Sequence, residues 1–299
     1  MLLVLNPTAG RRRRGLVDAV VRCVREQGWT VEIVETSAAG DARRFAETCD
    51  ATRHAVIAVA GGDGTINEVV NGLAGRTGPS PAMGIVPLGT ANVLAHELGM
   101  DFSATAIART LIAGRELLMQ PGEASGAGRP RCFSLMAGAG FDAKVVAGVS
   151  APLKRRWGKG AYVWRSLVEA WRYRPVRYRV EIDGVRHEAS SVIVTHSRHY
   201  AGPYVVAPAA ALGQPLLHVC LFERWGRSHT LRFGLALVRG RLPRTGGYRV
   251  VTGRAVRISV LSDAGEGRAQ PVQIDGDNAL TLPVSIALSA GAVRLLRQV

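Results

Sequence analysis

Residues 55–73, AVIAVAGGDGTINEVVNGL, constrain this chain more than any other stretch. The apolar run 55–60 is short and β-branched enough to be a buried strand. Gly61, Gly62, Asp63 and Gly64 then supply turn chemistry, and Thr65 opens a helix in which Ile66, Val69, Val70 and Leu73 recur at helical spacing. A strand that runs through glycines into a helix N-terminus makes an anion site. The glycines let the backbone approach a ligand, and free N–H groups together with the helix dipole favour negative charge. Asp63 would stand beside bound phosphates and repel them unless a divalent cation or a reacting proton lay between. The turn therefore points to phosphate chemistry rather than phosphate binding alone. The plain structural alternative is a βα turn in which Asp63 caps the helix.

The neighbouring segments supply company for this turn. Residues 2–5 form a strand followed by Asn6, Pro7, Thr8, Ala9 and Gly10, then a basic run 11–14 and a helix over 15–27. Residues 31–35 alternate as a strand that ends at Thr36, and a helix follows over 41–49. A strand over 82–86 ends in Pro87, Leu88, Gly89, Thr90, Ala91 and Asn92, with helices over 93–98 and 104–112. This βαβαβαβα order predicts a parallel sheet with helices on both faces. Ligands of such sheets bind beyond the carboxyl ends of the strands, where all four loops lie. The arginines at 11–14 read either as a solvated loop or as a positive rim on that site.

Beyond residue 121 the texture changes. Residues 122–130 read as a Gly/Ala/Ser-rich link. Short alternating segments follow at 132–136, 177–182, 191–195, 217–222, 255–260, 272–274 and 285–288, separated by turns such as Asp183-Gly184. These predict a mostly antiparallel second domain over 122–291, a sandwich. Within it, residues 153–179 interleave Lys154, Arg155, Arg156, Lys159 and further arginines with Trp157, Tyr162, Trp164, Trp171 and Tyr173, against the single acid Glu169. Three readings stand: an amphipathic helix packed into its domain, a contact with the headgroup layer of an anionic membrane, or single-stranded nucleic acid.

The 299 residues suit two domains, and a hydrophobic content of 47% supports a sizeable core. The net charge of +15 suits anionic partners, whether nucleic acid, membrane or phosphorylated ligand. Lys144, Lys154 and Lys159 are the lysines; the remaining basic charge is arginine. Cys23, Cys49, Cys132 and Cys220 form no close pair and show no zinc-ligand spacing, which favours reduced, buried thiols and a cytoplasmic setting. The apolar run 1–5 is too short for a signal peptide, and no run approaches membrane-spanning length, so any action on a membrane is from one side.

The motifs Asn6–Gly10 (NPTAG), 61–73 (GGDGTINEVVNGL), 87–92 (PLGTAN) and 273–277 (QIDGD) together resemble the diacylglycerol kinase catalytic-domain family, in order and over the whole chain. Soluble bacterial lipid kinases are the closest branch, with sphingosine and ceramide kinases more distant. The resemblance implies an NAD-kinase-like fold: a nucleotide-binding α/β domain over 1–121, a β-sandwich domain, and a last strand region, 292–299, returning to the first domain. It implies ATP and Mg²⁺ in the cleft between the domains. It carries nucleotide binding onto Asn6, Pro7, Thr8, Ala9, Gly10, Thr36, Gly61, Gly62, Asp63, Gly64, Thr65, Ile66, Asn67, Glu68, Thr90 and Asn92. Asp63 matches the aspartate that works with Mg²⁺ and phosphate.

The chain also departs from the family pattern. Asp277 stands where close relatives have a glutamate proposed as the base for the substrate hydroxyl, so its reach is about an ångström shorter. Residues 212–216 lack the acids of a structural Mg²⁺ site, and Val93 replaces an aspartate found in some members. The expectation is an ATP- and Mg²⁺-dependent kinase acting on a lipid hydroxyl, diacylglycerol or a related lipid. It would sit peripherally on the inner face of the membrane through Lys154, Arg155, Arg156, Trp157, Lys159 and Trp164. A homodimer is left open and nucleic acid is not expected. Two rivals stay open: a kinase of a soluble acceptor, and a non-catalytic nucleotide- or membrane-binding protein.

Overall fold

The computed structural model describes residues 1–9, 14–141, 143, 176–261 and 270–298. The chain divides into two units, Met1–Pro121 with Ser289–Val299, and Gly122–Leu288. The return to the first unit thus begins at Ser289, three residues before the expected position. Gly10, the arginines at 11–13 and the whole stretch 144–175 lie outside the described residues, and with them Lys154, Arg155, Arg156, Trp157, Lys159 and Trp164.

In chain order the first unit runs β1 (Leu2–Leu5), α1 (Arg14–Glu26), β2 (Glu32–Glu35), α2 (Asp41–Thr48), β3 (Val56–Gly61), α3 (Asp63–Ala74), β4 (Ala82–Pro87), α4 (Val93–Glu97), α5 (Ala104–Ala113) and β5 (Arg115–Met119). The second unit runs β6 (Gly122–Ser125), β7 (Arg131–Phe133), β8 (Met136–Ala139), β9 (Tyr178–Ile182), β10 (Val185–Ala189), β11 (Ser191–Thr195), β12 (His199–Tyr200), β13 (Tyr204–Val205), β14 (Leu217–Phe222), α6 (Arg227–Val238), β15 (Tyr248–Gly253), β16 (Ala255–Val260), β17 (Pro271–Ile274), β18 (Asp277–Thr281) and β19 (Val284–Leu288). Strand β20 (Val293–Arg297) completes the first.

The first unit is one sheet in the order β2-β1-β3-β4-β20-β5. Neighbours from β2 to β20 are parallel and β5 pairs antiparallel with β20. Central strands β3 and β4 are buried along their whole length, as apolar runs covered on both faces must be. One face places Leu3, Ala58, Ala60 and Val86 against the valines of α1 and Ile107 and Leu111 of α5. Helix α3 lies on β3 and β20 and packs against α2. Edge strand β2 exposes Glu32 and Glu35, charges that discourage pairing with another chain.

The second unit is a sandwich of two six-stranded sheets, β10-β9-β16-β19-β6-β7 and β15-β14-β11-β8-β17-β18. Inward side chains of the two sheets, among them Tyr178, Val180 and Ile286 from one and Val192, Val219 and Val272 from the other, form a single core. Two expectations are corrected here. The supposed link 122–130 begins as β6, whose small residues lie against Phe133; a Cβ on Gly122 would come within 2.0 Å of that ring. The segment 132–136 is two strands on different sheets, broken at Ser134 and Leu135. Helix α6 was not anticipated at all.

Two histidines are held inside this sandwich unit. His196 is fully buried and His218 is 3% exposed. Nε2 of His196 faces the Phe133 carbonyl at 3.4 Å, so it carries the proton, and Nδ1 is left without a partner, as is Nδ1 of His218. Burial pushes the His196 imidazole down to about 4, and burial lowers His218 as well. The unfolded chain therefore binds more protons than the fold below the ordinary histidine value of about 6.5. Stability is complete above that pH and falls as the pH drops toward 4, by up to about 3 kcal/mol from His196. Bonded carboxylates are lost only lower down, since Ser37 and neighbouring N–H groups hold Asp41 at about 2. We expect the urea midpoint to fall between pH 7 and pH 4.5, and His196→Gln to flatten that slope. An unchanged slope in the variant would show that His196 titrates normally.

Candidate active site

The loops after β2, β1, β3 and β4 leave the same end of the sheet side by side, as parallel pairing requires. Asn6 organises the first. Its Oδ1 accepts from Thr8 N at 3.0 Å, Thr8 Oγ1 at 2.8 Å and Ala9 N at 3.3 Å, which fixes the turn. Its Nδ2 donates to Thr65 Oγ1 at 2.9 Å, so the same side chain ties this loop to the start of α3. Thr36 follows β2, its N–H donating to the Leu5 carbonyl at 2.9 Å. Just beyond, Ser37 N and Oγ and Ala38 N donate to Asp41 Oδ2, closing the turn ahead of α2.

The third loop differs in one respect from the expectation: α3 begins at Asp63, not Thr65, with Gly62 in extended backbone as its N-cap. Gly62, having no side chain, contributes no side-chain cap to this end. The first N–H groups of a helix have no partner within it, so this end points positive partial charge out of the fold. Asp63 is half-buried in the first turn, and its Oδ1 stands 3.5 Å from Leu94 N at the start of α4. Thr65 and Ile66 are buried, whereas Asn67 and Glu68 are half-buried. Asn67 accepts from Asn71 Nδ2 through both its carbonyl and its Oδ1.

Glycine is expected in this loop for approach to a ligand, and at Gly62 the structure shows a second reason for it, a contact with Gly89 of the fourth loop. A Cβ on Gly89 would lie 2.7 Å from Gly62 Cα, and one on Gly62 would lie 3.3 Å from Gly89 Cα. The third and fourth loops thus meet backbone to backbone. Asn92 follows in left-handed backbone at φ 47° and is 2% exposed, and its Oδ1 has no hydrogen-bond partner. Thr90 between them is exposed. The N-terminus of α3, the Asp63 carboxylate in its first turn and the orphaned Asn92 amide oxygen bring together the third and fourth loops, and Asn6 ties in the first.

Among the described residues no group of three or more His, Cys, Asp or Glu could hold a metal by itself. A cage for a free divalent ion is therefore not what these loops offer. One carboxylate at a helix N-terminus does fit Mg²⁺ that would arrive with a nucleotide, because that ion takes most of its ligands from phosphates and water.

The late motif lies in the second unit. Asp275 and Gly276, at φ 45° and 88°, form the two-residue turn between β17 and β18, with Ile274 paired to Asp277. The Asp275 carboxylate accepts from Ser134 N at 2.6 Å, Ser134 Oγ at 2.7 Å, Leu135 N at 3.0 Å and Met136 N at 2.9 Å. These bonds explain why 132–136 breaks into two strands. Gln273 Oε1 accepts from Gly276 N at 2.8 Å. Asp275 is therefore a clamp, and Asp277, two residues further on, is exposed at the first position of β18. Asp277 is thus presented by a rigid hairpin, whose anchoring by Asp275 the sequence did not reveal.

The loop contact generates a prediction. Gly89→Ala forces the third and fourth loops apart and should lower the thermal midpoint by a few degrees, equivalent to about 1–3 kcal/mol of overpacking. Gly64→Ala, in α3 with open space around its Cβ, should leave the midpoint unchanged or slightly raised. Equal midpoints for the two variants in calorimetry would mean the loops do not depend on the contact.

Comparison with known proteins matches residues 1–124 to the diacylglycerol kinase catalytic domain and residues 136–297 to the YegS C-terminal NAD kinase beta sandwich-like domain. The chain is 28% identical over 225 residues to a protein of Shigella flexneri named "Probable lipid kinase YegS", covering 74% of this chain and 73% of that one. It is 29% identical over 243 residues to the diacylglycerol kinase of Bacillus subtilis, covering 80% and 78%. Its fold is similar to the crystal structure of a diacylglycerol kinase from Bacillus anthracis, with a TM-score of 0.77 at 21% identity, over 99% of this chain and 96% of that one.

Proposed function

Since the chain belongs to the diacylglycerol kinase catalytic-domain family, we propose that it is a lipid kinase that transfers the γ-phosphoryl group of ATP to the hydroxyl of diacylglycerol or a related membrane lipid. The observation that carries this reading is Asp63 in the first turn of α3, behind the N-cap Gly62 and within the loop cluster tied by Asn6 and Thr65. The names of the relatives from Shigella flexneri and Bacillus subtilis support a lipid as the acceptor. No helix among the described residues is long and apolar enough to cross a membrane. The enzyme would meet its substrate peripherally, at the inner face.

Each residue then has a task. N–H groups of the α3 first turn hold nucleotide phosphates, and the dipole of α3 favours their charge. Mg²⁺ bound with ATP supplies neutralisation of phosphate charge, and Asp63 is the carboxylate that would hold it, directly or through water. The acceptor oxygen forms a bond to the γ-phosphorus as the bridging P–O bond breaks and ADP leaves. Asp277 takes the proton of the acceptor hydroxyl. Phosphoryl transfer asks for alignment and charge stabilisation more than covalent help, so a site with few ionisable groups suffices.

Incubation with γ-labelled ATP, Mg²⁺ and mixed membrane lipids, followed by organic extraction, tests the reading. Label is expected in the organic phase, and Asp63→Asn should reduce it by at least about a hundredfold in a folded protein. Label that stays aqueous with every lipid offered would transfer the acceptor to soluble alcohols and sink the lipid assignment.

A second experiment isolates the base. Asp277→Asn should lower kcat by about 10²- to 10⁴-fold with little change in the KM for ATP, while Asp277→Glu, with a carboxylate one methylene longer, should keep activity within about tenfold. Turnover of the Asn variant at the parent rate would remove Asp277 from the role.

A further inference from the structure

Helix α6 carries an outward apolar stripe. Leu231, Leu235 and Val238, at spacing i, i+4 and i+7, are 42%, 51% and 63% exposed. The opposite side of the helix anchors it: Phe233 is buried, its ring edge-on to Phe222 at 5.2 Å. The stripe continues into a shallow groove of about 320 Å³ lined by Pro203, Tyr204, Pro208, Leu237, Val238 and Pro243. Tyr204 is itself 38% exposed.

The segment that carries this apolar face holds charge of one sign. No Asp or Glu occurs between Glu188 and Glu223, or from residue 224 to residue 262. Arg232, Arg239, Arg241 and Arg244 are exposed, and among the described residues none makes a salt bridge. On the helix, Arg232 and Arg239 fall about 80–100° from the Leu231 direction, at the flank of the stripe. Arg241 and Arg244 follow just past the helix C-terminus.

We propose that this face docks onto an anionic lipid bilayer, the leucines and valine entering the headgroup–acyl boundary and the arginines meeting lipid phosphates. Apolar side chains flanked by unpaired cations, with a tyrosine at the margin, match that boundary in both polarity and charge. A second copy of this chain fits poorly: an isologous contact would set these arginines against their own counterparts on a molecule of net charge +15. Docking here accords with a lipid acceptor but is separable from catalysis, because it requires neither ATP nor substrate lipid.

The test is sedimentation of the full chain with sucrose-loaded vesicles, either phosphatidylcholine alone or phosphatidylcholine with 30 mol% phosphatidylglycerol, at about 0.1 M salt. Two variants accompany it: Leu231→Gln/Leu235→Gln/Val238→Gln, and Arg232→Gln/Arg239→Gln/Arg241→Gln/Arg244→Gln. All substituted side chains are exposed, and unchanged thermal midpoints confirm folding. We expect the parent to prefer the anionic vesicles, with partitioning reduced at least about tenfold in the apolar variant and by about fivefold per arginine in the basic one. Asp63→Asn, which abolishes phosphoryl transfer under the kinase reading, should bind vesicles like the parent. Equal binding to neutral and anionic vesicles, or parent-like binding by either α6 variant, overturns the proposal. So does a parent dimer that the apolar variant splits without loss of vesicle binding, which would identify the face as a contact between copies.

Discussion

The loop cluster of the first unit rests on the contact between Gly62 and Gly89. Two strands of a parallel sheet lie close to 4.8 Å apart, but the loops leaving them are free to diverge. Here they stay together because neither residue carries a Cβ, so backbone meets backbone. That contact sets Asp63 within reach of the α4 N-terminus, and Asn92 Oδ1 fills the space beside Gly89. Asn6 and Thr65 add the third loop by a single hydrogen bond. A polar cluster can be held in place by this means, with a backbone contact rather than side-chain bulk setting the distance between the loops.

The second unit solves the same problem by a different device. A lone exposed carboxylate on a hairpin would be poorly placed if the hairpin could slip. Asp275 prevents slippage by accepting four hydrogen bonds from Ser134, Leu135 and Met136, residues distant in sequence. Hydrogen bonds to an ionised acceptor are roughly twice as strong as neutral ones, so this one side chain anchors the β17–β18 turn to the connection between β7 and β8. The neighbouring Asp277 is then directed by a turn whose geometry does not depend on Asp277 itself. The two acids of QIDGD are alike in chemistry and opposite in role, one spent on structure and the other left in solvent.

Some of this was readable in the residues and some was not. The apolar runs of β1, β3 and β4 and the periodic faces of α1, α3 and α5 announce a parallel α/β unit, because burial on both faces forces continuous hydrophobicity. Segments such as 191–195 and 217–222 likewise coincide with their strands. What escaped was set by partners far along the chain. β6 reads as a link because Gly122 and Ala124 are small, and they are small because Phe133 fills the space above Gly122. The break at Ser134 reflects Asp275, a residue 141 positions away. The start of α3 was misplaced by two residues since Gly64 looks like a turn residue yet sits without strain in the first helical turn. His196 and His218 gave no signal either, as nothing local says that an imidazole will be buried.

Helix α6 escaped for a reason that bears on how charge should be read in this protein. Amphipathic pattern detects helices that bury their apolar face, and α6 exposes one while a single phenylalanine, Phe233, does the anchoring. The chain's net charge of +15 was uninformative by itself, since an arginine paired with a carboxylate contributes little to an outside field. Pairing is what sorts the arginines. Arg43, Arg44, Arg249 and Arg294 are matched with acids of their own units. Arg232, Arg239, Arg241 and Arg244 lie in a segment that contains no acid to match them, beside apolar side chains left in water. Exposed apolar area and uncompensated charge each carry a cost in a free protein, and a surface that combines them is stabilised most by a partner that is at once apolar and anionic. An anionic bilayer is such a partner, and the same argument would not hold for either feature alone.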